Sequence, residues 1–250
     1  MTVDWSEVER SIKELLEVLS YGWVREHYGH SMGEAAEHAT RLLGGDPKQR
    51  YGDRLARLRS AFQQLDRLGI EGYLQLVQLV DTREKLGDFF GQARLPLDEI
   101  ANLLHYLLHW VLPSRIALRQ LIDREDEMAL AHVTALRESG IRSTLDILEH
   151  ARTGQQRAEL SARTGVPEGF LYELANRADM TRMPYVSGNT VGHYFRAGCT
   201  SLKRLATEDP NVLEEQVAAY FDSIGRNWRR AVDLESAIQI AKVLPEIIEH

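Results

Sequence analysis

Cysteine is almost missing from this chain: Cys199 is the only one in 250 residues. That excludes an internal disulfide and a thiolate metal cage, and it agrees with a reducing compartment. Proline is scarce, at 7, and no Gly/Ser-rich or Pro-rich run has the composition of a flexible linker. Long apolar runs are missing too. The most apolar stretch, Ile100 to Leu112, contains His105 and His109 and falls well short of the roughly 20 residues needed to cross a bilayer. No membrane association is expected. The opening MTVDWSEVERSIKELL is acidic and amphipathic where a secretory leader is basic and then apolar, so a cytoplasmic protein is expected.

Positive charge is in short supply. The formal net charge is −7 and the pI near 5.7, which opposes binding of nucleic acid by bulk electrostatics. Only residues 41–69 are basic, with 7 basic against 3 acidic side chains. Arg41, Lys48, Arg50, Arg54, Arg57 and Arg59 form a strip there, and Arg226, Arg229 and Arg230 surround Trp228 near the end. Either group suits phosphate; the plainer alternative is a solvated face, or salt bridges to the acidic helix at residues 4–17.

What is abundant is helical periodicity. Trp5, Val8, Ile12, Leu15, Leu16 and Leu19 recur at steps of three and four behind an Asp4/Glu7 capping box. Ser31 with Glu34 starts a second helix that Gly44-Gly45 ends, and Asp46-Pro47 supplies an N-cap and first-turn proline for a third. That third helix carries Tyr51, Leu55, Leu58, Phe62, Leu65 and Leu68 on one face and Arg50, Arg54 and Arg57 on another. Asp81 and Glu84 box a further helix, and Pro96 opens one whose Ile100, Leu103, Leu104, Leu107, Leu108 and Val111 predict a central position. Pro113 stops it; Ser114 then caps a long helix towards Gly140 that bridges the two halves. No segment alternates with period two, so no strand is expected.

Beyond Gly140 helices shorten and turn signals crowd together. The predicted division is an N-terminal helical domain, residues 1–125, and a second domain, residues 126–250. A repeat marks the second. Val133, Leu136, Gly140, Ile141, Ser143 and Ile147 match Val191, Tyr194, Gly198, Cys199, Ser201 and Leu205 at a constant offset of 58. Each copy reads as a helix ending on a left-handed glycine with an apolar residue folding back. A fainter copy at Leu65, Gly69, Ile70 and Leu76 is taken as a generic helix ending.

The stretches GIRSTLDILEHARTGQQRAELSARTGVPEGFLYELANRADMTRM, PYVSGNTVGHYFRAGCTSLKRLATEDPNVL and LESAIQIAKVLP carry Gly-Ile, Arg-x-x-Leu, Thr-Gly, Ala-Asp-x-x-Arg, Gly-x-x-Ser/Thr and a closing Ala-Lys-x-Leu-Pro. Over about residues 130–247 the chain resembles an uncharacterised bacterial family, the domain-of-unknown-function 4332 family. The resemblance implies tandem helix-hairpin-helix (SAM/HhH-like) modules, and so an all-α chain in which an N-terminal helical bundle precedes them. In modules of this kind that bind nucleic acid, a Pro-Gly-apolar-Gly hairpin brings backbone N–H groups close to a phosphate. The corresponding stretch here is Pro184-Tyr185-Val186-Ser187-Gly188-Asn189-Thr190, with Tyr185 and Ser187 at the two glycine positions. One reading has Ser187, Gly188, Asn189 and Thr190 meeting a phosphate, Tyr185 stacking on a base, and Arg182, Arg196, Lys203 and Arg204 adding charge. The other makes the hairpin a packing element and Tyr185 a contact with a neighbouring module.

Phosphate loops, dinucleotide Gly-x-Gly-x-x-Gly turns, His-Glu-x-x-His helices and Gly-x-Ser-x-Gly elbows are absent. His27, His30, Glu34 and His38, with His105 and His109, are the weak metal candidates; no Glu-x-x-His of the di-iron type accompanies them. No cofactor is expected. The first expectation is a non-enzymatic interaction or scaffolding protein with a protein partner or self-association. The alternative is a sequence-nonspecific DNA or RNA binder using the hairpin at 184–190 and the strip at 41–59, and a His/Glu metal protein is the lesser one.

Overall fold

A computed structural model describes residues 5–46, 50–93, 95–226 and 234–250. Those residues form fifteen α-helices with one π-helical and one 3₁₀ turn, and no strand among them. The fold is all-α. It divides into two compact units, residues 1–113 and 114–250.

In the first unit, α1 (Trp5–Ser20) buries the stripe Val8, Ile12, Leu15 and Leu19. It packs on α2 (Gly22–Tyr28), α5 (Tyr73–Leu79), α7 (Leu97–Tyr106) and the π-turn Leu107–Val111. Helices α3 (Met32–Gly44) and α4 (Gly52–Arg67) lie against each other, α4 also touches α7, and α6 (Arg83–Ala93) follows α5. Trp23, Tyr28, Phe62, Tyr73 and Tyr106 are the largest fully buried side chains, and burying a side chain of this size contributes about 1.5–3 kcal/mol. The apolar face from Ile100 to Val111 is buried throughout.

Several helix starts differ in detail from expectation. The Ser31/Glu34 capping box is complete, whereas Asp4 and Pro47 lie outside the described residues. Asp46 does not cap α4. Its carboxylate accepts from the Arg50 backbone N–H at 2.8 Å, and the helix begins only at Gly52. Asp81 likewise pairs with Lys85, while the Thr82 hydroxyl accepts from the Lys85 N–H and takes the capping position.

The second unit contains the largest departure. No long helix follows Pro113. Residues 114–117 instead pair with the turn ahead of α9 (Thr144–His150): Ala117 forms an antiparallel bridge with Ser143, and Thr144 N donates to Ile116 O at 2.8 Å. The buried Thr144 hydroxyl accepts from Ile116 N and donates to Ser114 O. These tertiary hydrogen bonds satisfy the backbone that a helix would otherwise satisfy locally. A 3₁₀ turn (Leu118–Gln120) follows, and α8 (Glu127–Glu138) starts at Asp126, whose carboxylate accepts from Ala129 N. Residues 114–125, assigned from sequence to the first domain, thus fold with the second unit.

The remaining helices are α10 (Gly154–Thr164), α11 (Glu168–Met180), α12 (Gly188–Arg196), α13 (Leu202–Thr207), α14 (Pro210–Ser223) and α15 (Leu234–Val243). Helix α11 touches α9, α10, α12 and α13, and α15 closes on α13 and α14. The sequence repeat is a repeat of turn geometry. Gly140 and Gly198 have φ of 90° and 92°, and the next residue's N–H returns to the helix, Ile141 to Leu136 O and Cys199 to Tyr194 O, both at 2.9 Å. Ser143 and Ser201 then cap α9 and α13. The copy taken as generic shares the turn, with Gly69 at φ 74° and Ile70 N donating to Leu65 O, but Gly72 starts α5 with no capping side chain.

Residues 244–250 run back across this unit. Arg182 donates to Pro245 O, Lys203 pairs with Glu246, Arg157 donates to Glu249 O, and Gly154 N donates to the Glu249 carboxylate. Ile247 and Ile248 are buried beneath them.

Candidate functional site

The hairpin between α11 and α12 is the element that the sequence singles out. Pro184 and Val186 are partly buried, and Tyr185 stands 65% exposed with φ 60°, the one positive-φ residue other than glycine among the described residues. A side chain there costs about 1–3 kcal/mol of backbone strain, so the backbone at Tyr185 has a glycine-like conformation. The Ser187 hydroxyl accepts from Thr190 N at 3.2 Å and lies 3.0 Å from the Thr190 hydroxyl, closing the start of α12 on itself. Asn189 is exposed.

Gly188 decides what this helix start can approach. A Cβ on it would lie 2.3 Å from Gln120 O and 2.9 Å from the carbonyl carbon, so the backbone of the 3₁₀ turn is seated directly against the first turn of α12. The glycine's missing side chain admits a carbonyl of this same chain. That carbonyl carries negative partial charge beside the helix start, which disfavours an anion there.

The cations proposed for phosphate are placed as follows. Arg182 is buried; its Nε donates to Asp179 Oδ1 at 2.7 Å and its Nη2 to Pro245 O at 2.8 Å. It is therefore not a surface contact for nucleic acid. Burial pushes the Asp179 carboxyl up, with the Arg182 guanidinium working against that shift. Lys203 pairs with Glu246, Arg204 with Glu208, and Arg196 with Asp123 and the Tyr220 hydroxyl. In the first unit Arg50 pairs with Asp46, Arg54 meets His105 Nδ1 at 3.2 Å and lies over Trp110, and Arg57 pairs with Glu99 and Asp98. Arg50 and Arg57 of the strip are thus tied to Asp46 and the first turn of α7. Arg41 and Arg59 are exposed, and Lys48 and the Trp228, Arg229 and Arg230 cluster lie outside the described residues.

The histidines do not converge. His27 sits on α2 beside Glu26 and, like His30, precedes the Ser31-capped α3, and Glu34 spends its carboxylate on Ser31 N and Oγ, which hold it below the usual carboxylate range. His30 and His38 have ring centroids 5.2 Å apart, and His105 and His109 lie 4.4 Å apart as a separate pair. Among the described residues no group of three or more His, Cys, Asp or Glu is placed to hold a metal.

Two quoted motifs do converge, with Arg182 of Ala-Asp-x-x-Arg donating to Pro245 of Ala-Lys-x-Leu-Pro. Residues 127–242 match a family model, that of Domain of unknown function (DUF4332). The DUF4332 match covers most of the segment whose motifs carried the resemblance, ending within the closing Ala-Lys-x-Leu-Pro at residues 241–245, and no family model matches the N-terminal half. No curated protein and no solved structure gives a significant match to the chain. Within the DUF4332 segment, sequence reading missed Asn176, a buried polar residue between Ala175 and Ala178 of α11. The interruption of an apolar stripe was its one signal.

Proposed function

We propose that the chain is a non-enzymatic, cytoplasmic interaction protein. In this reading residues 126–250 are degenerate helix-hairpin-helix modules whose hairpin serves protein contact instead of phosphate capture. The observation that carries it is the Gln120 carbonyl seated against Gly188, which leaves the start of α12 engaged within the fold. A contact surface lies close by along the chain's own packing. Tyr185 and Met128, 65% and 71% exposed, are the two most exposed large apolar side chains described; the 3₁₀ turn Leu118–Gln120 touches α8, which carries Met128, and Gly188, three residues after Tyr185. Exposed aromatic and methionine side chains of this kind suit protein interfaces.

The second reading, a sequence-nonspecific nucleic-acid binder, is favoured by the glycine-like φ of Tyr185. One pair of measurements separates them. Fluorescence anisotropy with labelled single- and double-stranded oligonucleotides, from about 50 to 200 mM salt, is expected to show no binding. Light scattering or affinity capture is expected to show self-association or a protein partner that Tyr185→Ala or Met128→Ala weakens. Micromolar oligonucleotide binding that falls steeply with salt and is damaged by Arg54→Glu or Lys203→Glu overturns the first reading.

A further inference from the structure

Residues 245–250 are held in the second unit as a peptide is held in a groove. They form no helix, and two of their side chains, Ile247 and Ile248, are buried. Much of the remaining attachment is to their main chain. Arg182 Nη2 donates to Pro245 O at 2.8 Å, Glu249 N donates to Arg152 O at 2.9 Å, and Arg157 Nη2 donates to Glu249 O at 3.0 Å. Two charges are met as well: Glu246 by Lys203 at 2.8 Å, and the Glu249 carboxylate by Gly154 N, in the first turn of α10, at 2.7 Å. Main-chain hydrogen bonds for affinity, with seats for particular side chains between them, are how folded proteins recognise a linear segment. We propose that this groove also takes residues 245–250 of a second copy of the chain, so that two copies associate by exchanging the segment reciprocally. The proposal rests on the interaction reading above and gives its self-association a site.

The seat is complete without the helix that delivers the segment. Its bonding groups belong to the turn before α10, to α10 itself, to the stretch after α11 and to α13, and none of them to α15. Two of them are also positioned by contacts in which the segment takes no part. Arg157 Nη1 donates to Ala151 O and Arg152 O, its guanidinium lies 5.0 Å from the centroid of the Tyr172 ring, and Arg182 Nε is held by Asp179. Such a seat accepts the segment from whichever α15 brings it within reach.

Chemistry then selects the occupant. The groove matches two successive buried aliphatic side chains flanked by an acid on either side, the order Glu246-Ile247-Ile248-Glu249, and a second copy carries that order in the same register. The junction suits the exchange. Helix α15 ends at Val243, and Pro245 has no N–H with which to continue it, so the chain leaves the helix there whichever groove it enters. Exchanging an identical element keeps the contacts of the closed chain, a low-cost route to a dimer.

The test reverses the pair Lys203–Glu246, whose side chains are 57% and 60% exposed, a position where reversal leaves the fold intact. Lys203→Glu and Glu246→Lys each oppose like charges, both within one chain and in a homodimer. Mixed, the two variants restore opposite charges at both grooves, and only if the segments cross. Analytical ultracentrifugation is expected to show a concentration-dependent dimer for the native chain, weaker dimers for each variant alone, and a heterodimer about tenfold tighter than either. Carrying both substitutions in one chain is expected to return the native dimer. Ile248→Asp, which removes a buried anchor, is expected to abolish the dimer, and the capped peptide Ac-Leu-Pro-Glu-Ile-Ile-Glu-His-NH2 is expected to raise the thermal midpoint of that variant by filling its groove. A native chain that is monomeric at every concentration, or a mixture no tighter than the separate variants, overturns the proposal. A dimer that Tyr185→Ala or Met128→Ala weakens and the charge reversals leave unchanged removes the exchange and leaves the interaction reading standing; salt-sensitive oligonucleotide binding by a monomer removes both.

Discussion

Acidification is expected to destabilise the first unit through His38. Its ring is 2% exposed, with neither nitrogen hydrogen-bonded, and it faces His30 at 5.2 Å. Burial, then the charges of His30 and Arg41, lowers its pKa from 6.5 to about 4. An unfolded chain therefore takes up a proton below about pH 6.5 that the folded one refuses until about pH 4. The stability lost is about 1.4 kcal/mol per pH unit across that window, about 3 kcal/mol in total at the lower end. Nothing is lost above pH 7, where both forms are neutral. The assay is urea unfolding at intervals from pH 7.5 to 4, on the native chain and on His38→Leu. Carboxylates titrate alike in both, so the difference between the two curves isolates the histidine. His38→Leu also removes two buried unsatisfied nitrogens and is expected to be no less stable at pH 7. A pH slope between 6.5 and 4 that is the same in both proteins refutes the reasoning.

Three other outcomes are expected. Gly188→Ala forces a methyl group into Gln120 O and costs about 1–3 kcal/mol, read as a lowered denaturant midpoint. Arg182→Met leaves the buried Asp179 carboxyl without its partner and costs about 3–5 kcal/mol; adding Asp179→Leu in the same chain recovers most of that, as a double-mutant cycle will measure. Cys199 is fully buried and burial pushes its thiol up to about 11, so a thiol reagent at pH 7.5 reacts only at the rate at which the unit opens, and at once in denaturant.

The all-helical class was legible because stripes such as Val8, Ile12, Leu15 and Leu19 depend only on local spacing. The glycine turns at 140 and 198 were legible for the same reason: a left-handed residue leaves few choices of side chain. Illegible was whatever depends on a partner far along the chain. Residues 114–126 read as helix because nothing local announces that Thr144 will take their backbone. Arg182 read as a surface cation because Asp179 is visible three residues away but Pro245 is not recognisable as its second acceptor. At the hairpin, Tyr185 warned that the glycine pattern was altered, whereas the seat of Gln120 against Gly188 needs coordinates.

Residues 244–250 have a consequence for how the second unit reaches its native state. Hydrogen bonds from Gly154 and Arg157 to Glu249 join positions 95 and 92 residues apart. Contacts so distant in sequence raise the entropy that must be lost before any is gained, and slow folding relative to a helical bundle of local contacts. With Tyr172 OH 2.8 Å from His250 Nδ1 and Lys203 paired with Glu246, they also couple α10, α11 and α13 to one closing segment, so that opening one weakens the hold on the others. Amide exchange in α10, α11 and α13 should then fall into one slow class with a shared opening free energy, not the graded ladder that stacked, independent helix pairs produce.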